Sequence, residues 1–83
     1  MNPELLLQQL EELAEKLDIA ISYSSMESDG GLCRIKNRRM ILVNTRLSTP
    51  ERIEVIAAAL PREELEGVFV PPSVREVIER RRR

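Results

Sequence analysis

Most enzymatic chemistry begins with an imidazole, a thiol or an activated hydroxyl, and this chain is poor in all three. Its 83 residues include no His, no Trp and one Cys, Cys33. Without an imidazole it lacks the usual general base near neutral pH and the commonest transition-metal ligand. A nucleophilic or redox-sensing Cys33 would need exposure and a nearby cation or base to lower its pKa. Arg34 is adjacent in sequence, but an alternating strand turns it to the opposite face, so Cys33 is expected as a small buried hydrophobe beside Ile35. Ser22, Ser24, Ser25 and Ser28 have neither a His partner nor a Gly-x-Ser-x-Gly elbow and read as strand-end and loop residues. The groups Glu11-Glu12-Glu15 and Glu63-Glu64-Glu66 read as solvated helix faces, since a hard-metal site needs a preformed oxygen cage.

The remaining chemistry is charge. Residues 1–30 carry seven acids and one base, 31–46 five bases and no acid, 47–79 seven acids and three bases, and 80–83 four Arg. The basic patches 34–46 and 80–83 are candidates for phosphate contacts, because each neutralised phosphate releases counterions. A rigid hairpin would present Arg34, Lys36, Arg38 and Arg39 together. Arg80–Arg83 also read as a solvated helix end whose cations suit the C-terminal dipole. There is no basic recognition helix, and Tyr23 and Phe69 are the only aromatics available to stack on a base. Nucleic-acid binding, the alternative function, is therefore expected to be weak, salt-sensitive and without sequence preference.

The elements that must position these residues follow from periodicity and caps. Asn2 as N-cap and Pro3 at the first helical position open a helix whose Leu6, Leu10, Leu13, Ala14 and Leu17 form one stripe, with Leu5 outside it. Ile19, Ile21 and Tyr23 alternate with Ala20 and Ser22 in a short strand, and Ser24–Gly31 is a polar loop. Leu32–Lys36 and Arg39–Val43 predict a hairpin around Asn37-Arg38. Met40-Ile41-Leu42-Val43 is apolar on both faces, which places it centrally, between its hairpin partner and a parallel Ile19–Tyr23. Ser48 and Glu51 have capping-box spacing at the start of a helix that Pro61 ends after Leu60. Arg62–Glu66 predict a short helical turn, and Gly67 a left-handed position. Val68–Pro72 predict an extended strap, and Ser73 with Glu76 a second capping box opening the last helix.

The expected fold is thus a single α+β domain over residues 1–83: an N-terminal helix, a small three-stranded mixed sheet with a hairpin, then two to three helices. A chain of this length buries roughly 60 to 65% of its unfolded surface, so its core is small. A lone Cys, a start without a signal-peptide pattern and the lack of a spanning apolar stretch point to a cytoplasmic protein without a membrane segment.

The wording Leu13-Ala14-Glu15-Lys16-Leu17-Asp18-Ile19, Gly31-Leu32-Cys33-Arg34-Ile35, Arg39-Met40-Ile41-Leu42-Val43-Asn44 and Pro50-Glu51-Arg52 resembles the start of the ImmA/IrrE-like zinc metallopeptidases over roughly residues 10–60. The resemblance implies a zincin-like N-terminal scaffold. In that family an Ile/Val-Asn strand end and a Pro-Glu-Arg-like turn lead into a helix with His-Glu-x-x-His, whose two imidazoles hold Zn²⁺ and whose Glu is the general base. Here Ala57–Ala59 stand where those letters would fall, and Glu54 lacks the spacing of the catalytic Glu, so no site residue carries over. The chain is expected to bind no metal or other cofactor and to have no peptidase activity.

What remains is a non-catalytic protein-interaction or regulatory module. The helix 50–60 is apolar on two sides: Ile53, Ile56, Ala57 and Leu60 on one, Val55 and Ala59 on another. Its first side should rest on the sheet, and the second needs cover from Val68–Val70, Val74, Val77 and Ile78. The alternative cover is an unidentified protein partner or a second copy of the chain, on a surface of Val55, Ala59, Phe69 and Val77.

Overall fold

The computed structural model describes residues 2–80, which run α1 (Pro3–Lys16), β1 (Ile19–Ser24), β2 (Gly30–Ile35), β3 (Arg38–Asn44), α2 (Thr49–Ala59), a 3-10 turn (Arg62–Glu64) and α3 (Pro72–Arg80). This is the expected α+β order. The Asn2 side chain accepts from the Glu4 amide at 2.9 Å, and Pro3 fills a position where a missing N–H costs nothing. Leu10, Leu13, Ala14 and Leu17 are buried, while Leu5 is 45% exposed. After Leu17, Asp18 takes a left-handed φ of 60° and turns the chain into β1.

The strand order is β1-β3-β2, with β1 parallel and β2 antiparallel to β3. The central position of β3 matches its doubly apolar run. The hairpin turn differs from expectation by one residue. Ile35 pairs with Arg38, so Lys36 and Asn37 are the turn residues, with φ of 51° and 66°. A tight two-residue turn of this kind needs positive φ at both central positions, and Asn37 serves as the second of them rather than the first. Lys36 is therefore a turn residue and does not share a strand face with Arg34.

Register sorts the side chains into two layers. Ile19, Arg39 and Arg34 align, as do Ile21, Ile41 and Leu32, on the face that α1 and α2 cover. Ile41 and Val43 there are fully buried. Ala20, Met40 and Cys33, then Ser22, Leu42 and Gly31, lie on the opposite face, half-buried and without a helix over them. Cys33 is therefore not a core residue. It belongs to this open layer with Ile35, which is 48% exposed.

Ser48 and Glu51 form the expected capping box, the Ser48 amide donating to Glu51 Oε1 at 2.9 Å. Ile53, Ile56, Ala57 and Leu60 are buried against the sheet and α1. The second predicted box does not form. Pro72 is the first residue of α3, and Arg75 N–H donates to Pro71 C=O at 2.9 Å, because a proline at the first helical position is already set in φ. α3 packs on α1 and α2 and touches no strand, adding Val74, Val77 and Ile78 to the core from the side away from the sheet. Each such burial is worth roughly 1.5–3 kcal/mol, so the strap and α3 are part of the fold. Val77, expected as inward cover and only in the alternative as partner surface, is 4% exposed. It is corrected to a core position, since it lies on the same helical stripe as Val74 and Ile78.

Candidate functional site

The hairpin leaves β2 at the edge of the sheet. Asn44 N–H donates to Asp29 C=O at 3.0 Å, and Ile35 closes the turn opposite Arg38. In an antiparallel ladder the bonding side alternates. Gly31, Cys33 and Ile35 therefore turn their backbone groups toward β3, and Gly30, Leu32 and Arg34 turn theirs outward, to the open edge.

Beneath that edge lies a cleft of about 600 Å³, walled by Asp29, Gly30, Gly31 and Leu32 on one side and Glu51, Glu54, Val55, Ala58 and Ala59 on the other. Leu32, 43% exposed, and half-buried Val55 and Ala59 make it apolar in the middle. Asp29, Glu51 and Glu54 make its rim acidic. The Ser48 backbone amide, and then its hydroxyl, hold the Glu51 carboxyl below the usual carboxylate range, so that charge persists into mild acid. Glu54 faces Arg80 at 3.8 Å. Gly30 shapes the rim: its φ is 127°, and a Cβ there would sit 2.0 Å from the Leu42 carbonyl oxygen. No residue but glycine fits there without moving the β3 backbone.

The expected partner surface is thus brought together only in part. Val55 and Ala59 share the cleft, Val77 is in the core, and Phe69 stands apart at 72% exposure in the segment before α3. The Gly30-Gly31 part of this wall reads from sequence as the end of a loop, with Leu32 opening the strand, whereas β2 begins at Gly30. Its signal was the alternation Leu32-Cys33-Arg34-Ile35, which extends back through the glycines.

The basic hairpin residues do not form one surface. Arg34 and Arg39 align on the helix side, Arg38 aligns with Ile35 on the other face, and Lys36 is in the turn. Arg39 is committed within the fold, its guanidinium 2.5 Å from Glu64 Oε2 and 2.5 Å from the Leu17 carbonyl. Its pKa is raised, chiefly by the bond to Glu64. Arg38 lines a depression with Asp18, Glu11 and Glu15. Of the terminal patch, Arg80 pairs with Glu54, and residues 81–83 lie outside the described residues.

Two networks that sequence reading did not single out hold the site's surroundings. The Asn44 amide, 6% exposed, donates to the carbonyls of Met26 and Ser28, both at 2.9 Å, and accepts from Arg46 N–H at 3.0 Å. It clamps the loop 25–29 that leads into β2. The Tyr23 hydroxyl donates to Glu11, and Arg52 covers the ring while donating to the Leu47 and Thr45 carbonyls. Burial first, then the bond to Glu11, pushes the Tyr23 pKa to about 12.

Among the described residues no group of three or more Asp, Glu or Cys is placed to hold a metal ion. No described helix is long and apolar enough to cross a membrane. The chain has no significant match to a protein-family model, a curated protein or a solved structure.

Proposed function

We propose that this chain is a non-catalytic protein-interaction module of the cytoplasm that receives an extended protein segment along the open edge of β2. One observation carries the reading: the outward backbone of Gly30, Leu32 and Arg34 runs directly above a cleft that is apolar at Leu32, Val55 and Ala59 and acidic at its rim. An incoming strand would satisfy the edge groups by adding to the ladder, and its alternate side chains would enter the cleft. The acidic rim favours a basic side chain flanking the apolar one. In the wording of residues 10–60 the sequence resembles the opening part of the ImmA/IrrE-like metallopeptidases, and with no imidazole in the sequence it has no means of building the His-Glu-x-x-His centre.

Selection from a displayed peptide library, followed by amide-shift mapping of the enriched sequences, tests the reading. Enriched peptides should be extended, with apolar and basic residues alternating, and should shift Gly30–Arg34, Val55 and Ala59. Selection against the monomeric chain that yields no binder, or binders that shift only other residues, overturns it. One equivalent of zinc retained per tag-free chain would overturn its non-catalytic half.

A further inference from the structure

Building on that interaction reading, we infer that the segment received at this edge is β2 of a second copy, the two strands pairing antiparallel about a two-fold axis through Leu32. β2 carries what its own cleft asks for: an apolar Leu32 and, two positions on, a basic Arg34 whose side chain shares the helix-covered face. With Leu32 opposite Leu32 of the second copy, Arg34 stands opposite Gly30. There Asp29 and Glu51 line the same cleft as Gly30. The charges are complementary by symmetry, once at each end of the pair.

Register follows from the same residues. The Leu32-centred pairing engages all three outward-facing positions of each strand and forms about six backbone hydrogen bonds. It also holds the two Arg34 side chains about 13 Å apart along the strands. Sliding the pair so that Arg34 meets Leu32 brings the two cations together, and sliding the other way leaves Arg34 beyond the end of the partner strand. A slip of one residue in one strand alone would turn its side chains to the wrong face.

The helices fit this arrangement. α2 packs on both β2 and β3, so it lies between them. Adjacent strands are about 4.8 Å apart, which puts the α2 axes of the two copies about 10 Å apart, a helix-packing distance. The α2 wall of the cleft carries Val55, Ala58 and Ala59, small enough for that approach, with Glu51 and Glu54 on the same wall. Pairing would add to the cover of half-buried Val55 and Ala59, and would join the sheets into one of six strands.

Sedimentation velocity of the full chain across a concentration series is the direct test, with circular dichroism confirming the fold of each variant. The wild type should form a dimer that weakens as salt is raised. Arg34→Glu places like charges at both ends of the pair, and Ala58→Glu adds bulk and charge between the helices at an exposed position. Each should raise the dimer dissociation constant by about tenfold or more. A dimer unchanged by both substitutions overturns the inference, because another face would be holding it. A wild type that stays monomeric while displayed peptides still shift Leu32 and Val55 overturns the dimer and leaves the interaction module standing; a monomer that binds no peptide removes both.

Discussion

The Arg52 guanidinium lies over the ring of Tyr23, 5.0 Å from its centroid, and so joins α2 to β1 by a contact that neither element's own pattern requires. The Tyr23 hydroxyl extends the connection to Glu11 on α1. Because its pKa is raised to about 12, the neutral phenol is favoured by folding. The stability it contributes is complete below the ordinary tyrosine value near 10 and is lost as pH rises through about 12. Tyr23 is the only Tyr and there is no Trp. Near-ultraviolet tyrosinate absorbance should therefore show one titration, well above that of free tyrosine in the native protein and normal in denaturant. Tyr23→Phe should remove most of the stability loss between pH 10 and 12, and a Tyr23 that titrates at the free value would contradict the network.

Asn44 should be the most sensitive polar position. Asn44→Leu keeps the volume but leaves the Met26 and Ser28 carbonyls and the Arg46 amide without their partner. Unsatisfied buried groups cost roughly 1–3 kcal/mol. Asn44→Asp retains the acceptor for Arg46 and sets a carboxylate against two carbonyls, so its loss should be at least as large at neutral pH and should diminish in acid. Denaturant unfolding of both variants, with hydrogen exchange in the 25–29 loop, measures the effect. Midpoints unchanged from wild type would show that the loop does not depend on the clamp.

The two neighbouring glycines should separate sharply. Gly30→Ala forces a Cβ onto the Leu42 carbonyl oxygen in a left-handed backbone conformation and should cost about 2 kcal/mol or more. Gly31→Ala meets nothing within 4 Å and should be neutral or stabilising by up to about 1 kcal/mol. Thermal unfolding of the pair reads the contrast, and equal behaviour would contradict the close approach at Gly30.

Val77→Asp should unfold the chain, not merely separate an assembly. Val77 is 4% exposed among Val70, Val74 and Ile78, and an unpaired buried carboxylate there should cost several kcal/mol, a large part of the stability of a domain this small. Deleting residues 68–83 removes the same cover and should aggregate or unfold the protein. A truncated chain that remains folded and monomeric by light scattering would show that α1, α2 and the sheet suffice.

The starts of α1 and α2, the stripe on α1, the buried side of α2 and the central place of β3 were legible in the sequence, because each depends on residues within one or two turns of one another. The caps at Asn2 and at Ser48 with Glu51 are local hydrogen bonds, and Met40–Val43 advertises its position by being apolar on both sides. The absence of His likewise excludes imidazole chemistry without any coordinates. The candidate site was only half legible. Val55 and Ala59 announced a second apolar side on α2, but what faces it depends on the β2 register, which one residue in the turn decides: Lys36 entering the left-handed region with Asn37 sets which groups of Gly30, Leu32 and Arg34 look outward. Tertiary structure alone placed Cys33 on the uncovered sheet face, committed Arg39 to Glu64, and recruited Asn44 to a loop sixteen to eighteen residues earlier. Those outcomes rest on pairings between distant segments, where the energy of closing one contact depends on which others have already formed, and no local pattern carries that information.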